Sequence, residues 1–389
     1  MKTNDTSPKI RSEEKVPPRV WLWVIVVVVL ANILLPILWN NFEKRPSIEN
    51  SRQPYHLSKD YWHYEKMLED SISQSSKIPV TIIGDSVVWG EYVDRDSTLT
   101  AYLNERSNVQ NTYKFLNAGI NGLYPVVLKE LIENYYPHNK RLPVILHYNF
   151  LWISNPEADL QDPKERTLNH SNLLPQFFHD IPPYKAPFEK RLKITVSLHI
   201  PSNRLAKHIQ ISYVDNKSIP NWTMDMGPTW PPNYPNSSKN ISGQYDFQNL
   251  SEHENDPSRG KHSSRHKSWN RKGMQVQQDR WIDPTSSIQW PALLKLTKLL
   301  QEKNLSVFVI IGPLNKHMMD ERSQNKCSHY EGLARIWLKE QGISHVVLPT
   351  LPSELYADSS HPLSGGYNKM AEILLLSDEF SKWLNELDL

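Results

Sequence analysis

The sequence predicts an α/β fold, a central and mainly parallel five-stranded sheet in a three-layer α/β/α arrangement, preceded by one transmembrane helix. Short, continuously apolar runs such as PVTII, PVILHY and LSVFVII alternate with stretches of helical periodicity. Strands apolar on both faces belong in a parallel sheet buried between helices. Residue types with chemical capability recur just after those runs, beyond the carboxyl ends of strands, where open parallel sheets bind ligands. A charge-free segment near the N-terminus supplies the membrane element.

The elements follow in chain order. Residues 1–19 are polar and charged and read as a cytoplasmic tail. Residues 20–39, VWLWVIVVVVLANILLPILW, carry no charge and only Asn32 as a strongly polar side chain. About 20 such residues cross a bilayer core as a helix. Trp21, Trp23 and Trp39 would mark its two interfaces. A buried core helix and a cleaved signal peptide are the alternatives, but LWNNFEKR after Ile37 offers no small-residue cleavage site. Lys2, Lys9, Arg11, Lys15 and Arg19 precede the span and Lys44, Arg45 and Arg52 follow it, a five-to-three bias that puts the N-terminus in the cytoplasm and the remainder outside it. Residues 40–55 read as a linker.

Strands are predicted at 79–83, 113–116, 143–148, 305–311 and 345–348, with helices near 57–73, 99–105, 126–135, 290–303, 331–341 and 366–384. The alternation places the catalytic domain in two pieces, 56–155 and 286–389. Between them, 156–285 is rich in Pro, Asn, Ser, His and Trp. A structureless loop of that length is improbable in a compact domain, so it reads as an inserted subdomain or lid, partly disordered near 235–275.

Composition narrows the function classes. With 44 basic and 42 acidic residues, nothing suggests a nucleic-acid partner. The 29 prolines against 13 glycines, and 13 tryptophans, imply long irregular connections with rings to pack them. A lone cysteine, Cys327, cannot form an internal disulfide and has no adjacent base pattern to make it a nucleophile. His147, His170, His179, His199 and His208 lack metal-ligand spacing, so neither metal nor other cofactor is expected. The basic run Arg259, Lys261, Arg265, Lys267, Arg271 and Lys272 reads as a solvated loop, with contact to an anionic glycan or lipid head group as the alternative. Asn221, Asn240 and Asn249 stand in glycosylation sequons, relevant only in a glycosylating host.

The chemistry lies in the post-strand loops. Gly84-Asp85-Ser86 follows the first strand, and a serine there is exposed where the chain turns. Serine needs a base to take its proton and a third group to orient that base. Asp358 and His361, three residues apart after the last strand, can supply both from one loop. Asp60 and His63 share that spacing, but they read as two positions on the polar face of a juxtamembrane helix. For an oxyanion hole, the Ser86 N–H can be joined by a glycine N–H from Asn117-Ala118-Gly119-Ile120-Asn121-Gly122 after the second strand and by the amide of Asn149 after the third.

These blocks resemble the GDSL/SGNH hydrolase superfamily, whose four motifs contribute Ser, Gly, Asn and His in that order. Ser86, Gly122, Asn149 and the block DSSHPLSGGYNKMA match them, over 53–155 and 286–389. The third block departs: the family usually has Gly-x-Asn-Asp, and here His147-Tyr148-Asn149-Phe150 stands. The anchor, the insertion and IIGPLNKHMM are reminiscent of cell-envelope branches that handle D-alanylation or polysaccharide O-acetylation. The resemblance implies ester chemistry through an acyl-serine: a membrane-bound esterase or O-acyltransferase acting on an envelope or extracellular glycan or lipid, with envelope acyl-transfer partners. The contrasting expectation is an inactive protein of the same fold that binds glycans.

Overall fold

A computed structural model describes residues 17–43, 52–106, 112–137, 142–177, 181–213, 216 and 267–387. The long segment between 217 and 266, with Arg259, Lys261, Arg265 and the sequons at Asn221, Asn240 and Asn249, lies outside the described residues. So does 235–266, the larger part of the stretch 235–275 expected to be partly disordered.

Five strands, β1 (Ile78–Gly84), β2 (Tyr113–Gly119), β3 (Pro143–Tyr148), β4 (Ser306–Ile311) and β5 (Ser344–Val347), form one sheet in the order β2-β1-β3-β4-β5. Every pairing is parallel, with Ile82 opposite Asn117 on one side and Ile145 on the other. Because side chains alternate along a strand, the sheet serves two apolar clusters. Ile83, Leu146, Val309 and Ile311 join one with α2 (Tyr61–Gln74), α5 (Pro125–Tyr135), α8 (Gln289–Glu302) and α9 (Glu321–Glu340). Val80, Ile82, Phe308 and Ile310 join the other with α4 (Leu99–Glu105), α10 (Ser364–Leu375) and α11 (Asp378–Glu386).

The topology creates a crevice. The chain leaves β1 toward β2 but leaves β3 toward β4, in opposite directions across the sheet. The carboxyl ends of β1 and β3 therefore flank a topological switch point, where a ligand meets loops diverging to either side.

Helix α1 (Pro18–Phe42) is long and apolar enough to cross a membrane, and nearly all of its large side chains are exposed. The insertion contributes a helical hairpin, α6 (Phe188–His199) and α7 (Pro201–Tyr213), that packs on α1 and α2. Residues 40–55 are not a linker throughout: Arg52 and Gln53 are buried. Arg52 Nη1 donates to the carbonyl of Trp89 at 3.1 Å while its guanidinium lies 3.8 Å from the Trp89 ring centroid.

Asp60 and His63 correct another expectation. Both are buried rather than set on a polar face. Asp60 caps α2 by accepting from the His63 backbone N–H at 3.0 Å, and its other oxygen faces His208 Nδ1 of α7 at 2.8 Å. A buried carboxylate needs a partner, and the imidazole that supplies it is distant in sequence.

Candidate active site

Strand β1 ends at Gly84, and the next residues turn into a four-residue helix, α3 (Ser86–Trp89), capped by Asp85 through its Val87 N–H at 3.0 Å. Ser86 thus begins the helix, where a backbone N–H has no intrahelical acceptor. The turn is held tightly. Tyr367 of α10 donates to the Val87 carbonyl at 2.7 Å, and Asn117 of β2 donates to the Val88 carbonyl at 2.8 Å. Gly119 lets β2 pass beneath, because a Cβ there would stand 2.4 Å from Trp89 N.

The opposing loop follows β5. Asp358 Oδ1 accepts from Ser360 N at 3.0 Å and His361 N at 2.9 Å, which closes a tight turn. Asn315 fixes that turn by donating from its side chain to the Asp358 carbonyl at 2.9 Å. The same carboxylate lies 2.8 and 2.9 Å from His361 Nδ1. His361 Nε2 then lies 2.8 Å from Ser86 Oγ. Serine, imidazole and carboxylate form one continuous chain from two loops 275 residues apart in sequence.

Burial alone would keep the imidazole neutral, but the Asp358 and Glu91 carboxylates outweigh it and push His361 up to about 9. Burial likewise opposes the charge on Asp358, yet His361 and the two backbone N–H groups hold it at about 2. Glu91 was not singled out from sequence. Its Oε2 lies 3.4 Å from the same Nε2 that faces Ser86.

Asn149 and Gly122 occupy different situations. Asn149 Nδ2 donates to Asp85 Oδ2 at 2.8 Å, and Trp152 Nε1 donates to the same oxygen at 2.6 Å. Asp85 therefore ties the β1 and β3 loops across the switch point. The Asn149 amide carries two hydrogens, and this bond uses one. Gly122 has φ +77°, a backbone that favours glycine, and a Cβ would meet Asn169 Nδ2 at 2.6 Å. His147 is buried; desolvation holds it below its usual range although Asp85 favours the charge. As a neutral ring, its Nε2–H donates to the Gly312 carbonyl at 2.9 Å, which leaves Nδ1 facing Asp85 Oδ1 at 3.9 Å.

No family model matches the chain, and no curated protein is significantly similar to it.

Other residues close the site. Tyr92, at φ +68°, sets its ring edge-on to His361 with centroids 5.4 Å apart. Lys272, from the basic run, lies 4.3 Å from the Tyr92 ring centroid and donates to the Ala357 carbonyl at 3.1 Å. That residue is part of the triad's wall rather than a solvated loop. Only the left-handed Tyr92 backbone and the return of the insertion bring these two side chains here, and neither has a signal in the local sequence. Cys327 is buried on α9, and burial raises its thiol far above the range in which thiolate forms.

Proposed function

We propose that the chain is a membrane-anchored serine esterase or O-acyltransferase of the GDSL/SGNH type, acting on ester-linked acyl groups of an envelope or extracellular glycan or lipid. The observation that carries this reading is the Ser86–His361–Asp358 chain of contacts at the switch point. The apolar clusters on both sides of the parallel sheet support the three-layer arrangement of that superfamily. The five-to-three charge bias around α1 favours a catalytic domain outside the cytoplasm.

The chemistry follows from the proton positions. With Nδ1–H donated to Asp358, Nε2 takes the Ser86 proton as Oγ attacks the ester carbonyl. The carbonyl oxygen gains negative charge, and the Ser86 N–H, Gly122 N–H and second amide hydrogen of Asn149 are the donors offered to it. Collapse expels the alcohol, which takes the proton from His361 and leaves an acyl-Ser86 ester. Water or a sugar hydroxyl then gives its proton to His361 and attacks that ester, releasing acid or forming a new ester and restoring Ser86. Hydrolase and transferase use the same residues, and the acceptor distinguishes them.

A fluorophosphonate probe added to the full chain in detergent tests the reading. Covalent labelling confined to Ser86 by peptide mass spectrometry is the expected result. An unlabelled chain, or a label carried by another residue, would overturn it.

A further inference from the structure

The α6–α7 hairpin from the insertion lies beside the apolar helix α1. Ser202, near the start of α7, donates its backbone N–H to Asn32 Oδ1 at 2.9 Å. Further along α7, His208 Nε2 lies 2.7 Å from Glu43 Oε1, just past the end of α1. At 1.5 Å per residue, Asn32 is about 10 Å along the helix axis from Trp39. If α1 spans a bilayer with Trp39 at its interface, the His208 end of α7 stands at the level of the head groups. Phe188 and Leu192, one helical turn apart toward the open end of α6, are 69% and 49% exposed.

A cavity of about 320 Å³ opens at the same level, between α6, α7 and the start of α2. It shares His208 with the wall that Trp39 packs against, their ring centroids being 6.5 Å apart. Five cations line it: Lys59, Lys190, Lys193, Arg204 and Lys207. The acids nearby do not balance them. Asp60 is committed to His208, to the Ser212 hydroxyl at 2.5 Å and to the cap of α2. Glu65 lies 3.7 Å from Arg204. Partial burial holds Lys207 below its ordinary range, and the positive charges of Lys193 and Lys59 push it the same way. Like charges converging on one concave space are relieved by an anion. Beside a membrane helix, the anion at hand is a lipid phosphate.

We propose that this cavity binds the phosphate of an anionic lipid from the anchoring membrane, with Lys59, Lys193 and Lys207 as its principal ligands. The consequence is orientation. A lipid held here, with α1, fixes the domain at two points and sets the height of its active crevice above the bilayer.

The full chain in mild detergent, offered equimolar phosphatidylglycerol and phosphatidylcholine, tests this by native mass spectrometry of the retained lipid. We expect about a tenfold preference for phosphatidylglycerol, at the scale that lysines near anionic lipid supply. K59Q/K193Q/K207Q should reduce it to near parity, whereas the matched control K295Q/K298Q/K339Q, three exposed lysines on α8 and α9, should retain it. Lys193 is exposed on α6, so K193E alone should lower the preference without disturbing packing if the triple variant folds poorly. Three results would overturn the proposal: no preference in the natural chain, preference kept in K193E and the triple variant, or equal loss in the control. Inorganic phosphate is the remaining arm. If it binds the lipid-free chain and displaces phosphatidylglycerol completely at similar concentration, the site is one for soluble phosphate and the lipid assignment fails.

Discussion

A serine hydroxyl loses its proton only to a base whose lone pair faces it, so the 2.8 Å contact between Ser86 Oγ and His361 Nε2 decides which substitutions matter. Ser86→Ala and His361→Ala should each lower turnover by a factor on the order of 10⁶, and Asp358→Asn by roughly 10⁴, because the members act as a unit. Probe labelling and an ester-hydrolysis assay check this, with stability changed by only about 1 kcal/mol for the serine. Comparable activity in Ser86→Ala would end the proposed mechanism. The base must also be neutral to accept a proton. With His361 raised to about 9, labelling should climb as pH rises between its ordinary 6.5 and 9. Glu91→Gln removes one of the anions that favour the imidazolium, so the climb should move to lower pH by roughly one unit. An unchanged profile in Glu91→Gln would show that the carboxylate at 3.4 Å does not act on the base.

Among the elements, the hairpin of α6 and α7 changes how the region beside α1 is understood. Asp60 and His63 repeat the spacing of Asp358 and His361, yet their roles differ completely. In the β5–α10 loop the chain turns tightly enough for the carboxylate to reach its own neighbour's ring. At the start of α2 the carboxylate instead caps the helix, and it finds the ring of His208 on α7. The two pairs therefore separate on mutation. His63→Ala should leave probe labelling at Ser86 unaltered. Asp60→Asn should destabilise the domain by on the order of 3 kcal/mol, since it leaves a buried imidazolium short of a charge partner. Urea titration of both variants reads the difference, and equal small losses would contradict the buried pair's role. Helix boundaries were less legible than strands. The sequence suggested a helix over 331–341, but α9 starts ten residues earlier, at Glu321, through the polar stretch ERSQNKCSHY. Its signal is the Asp320 cap on Ser323 rather than an apolar stripe. The helix predicted over 366–384 is two, because Ser377 ends α10 and caps α11.

For the whole molecule, orientation on the membrane determines which substrates the crevice can meet. The charge bias around α1 predicts that external protease digests the domain in spheroplasts while the N-terminal tail stays protected. Protection of the domain would put the active crevice on the cytoplasmic side and change the substrate class. Arg52 weakens the count on the outer flank, since it is buried against Trp89 rather than placed at the bilayer surface. That shift strengthens the asymmetry in favour of a cytoplasmic N-terminus.

The sequence by itself determined the five strands, their parallel arrangement and the apolar span, and it singled out Ser86, Asp358 and His361, whose side chains the structure brings into contact. Each of these rests on local information: an apolar run buried on both faces, a charge-free stretch of sufficient length, or a residue type just beyond a strand. Only the tertiary structure decided what depends on groups far apart in the chain. It brought Glu91 and Tyr92 onto His361, Lys272 onto the Tyr92 ring, and Asn149 and Trp152 onto Asp85. It also showed that part of the insertion, read as a subdomain or lid, is a hairpin whose lysines converge beside α1. Polar groups take partners by proximity and burial, and nothing in the periodicity of a sequence records which distant group will be near.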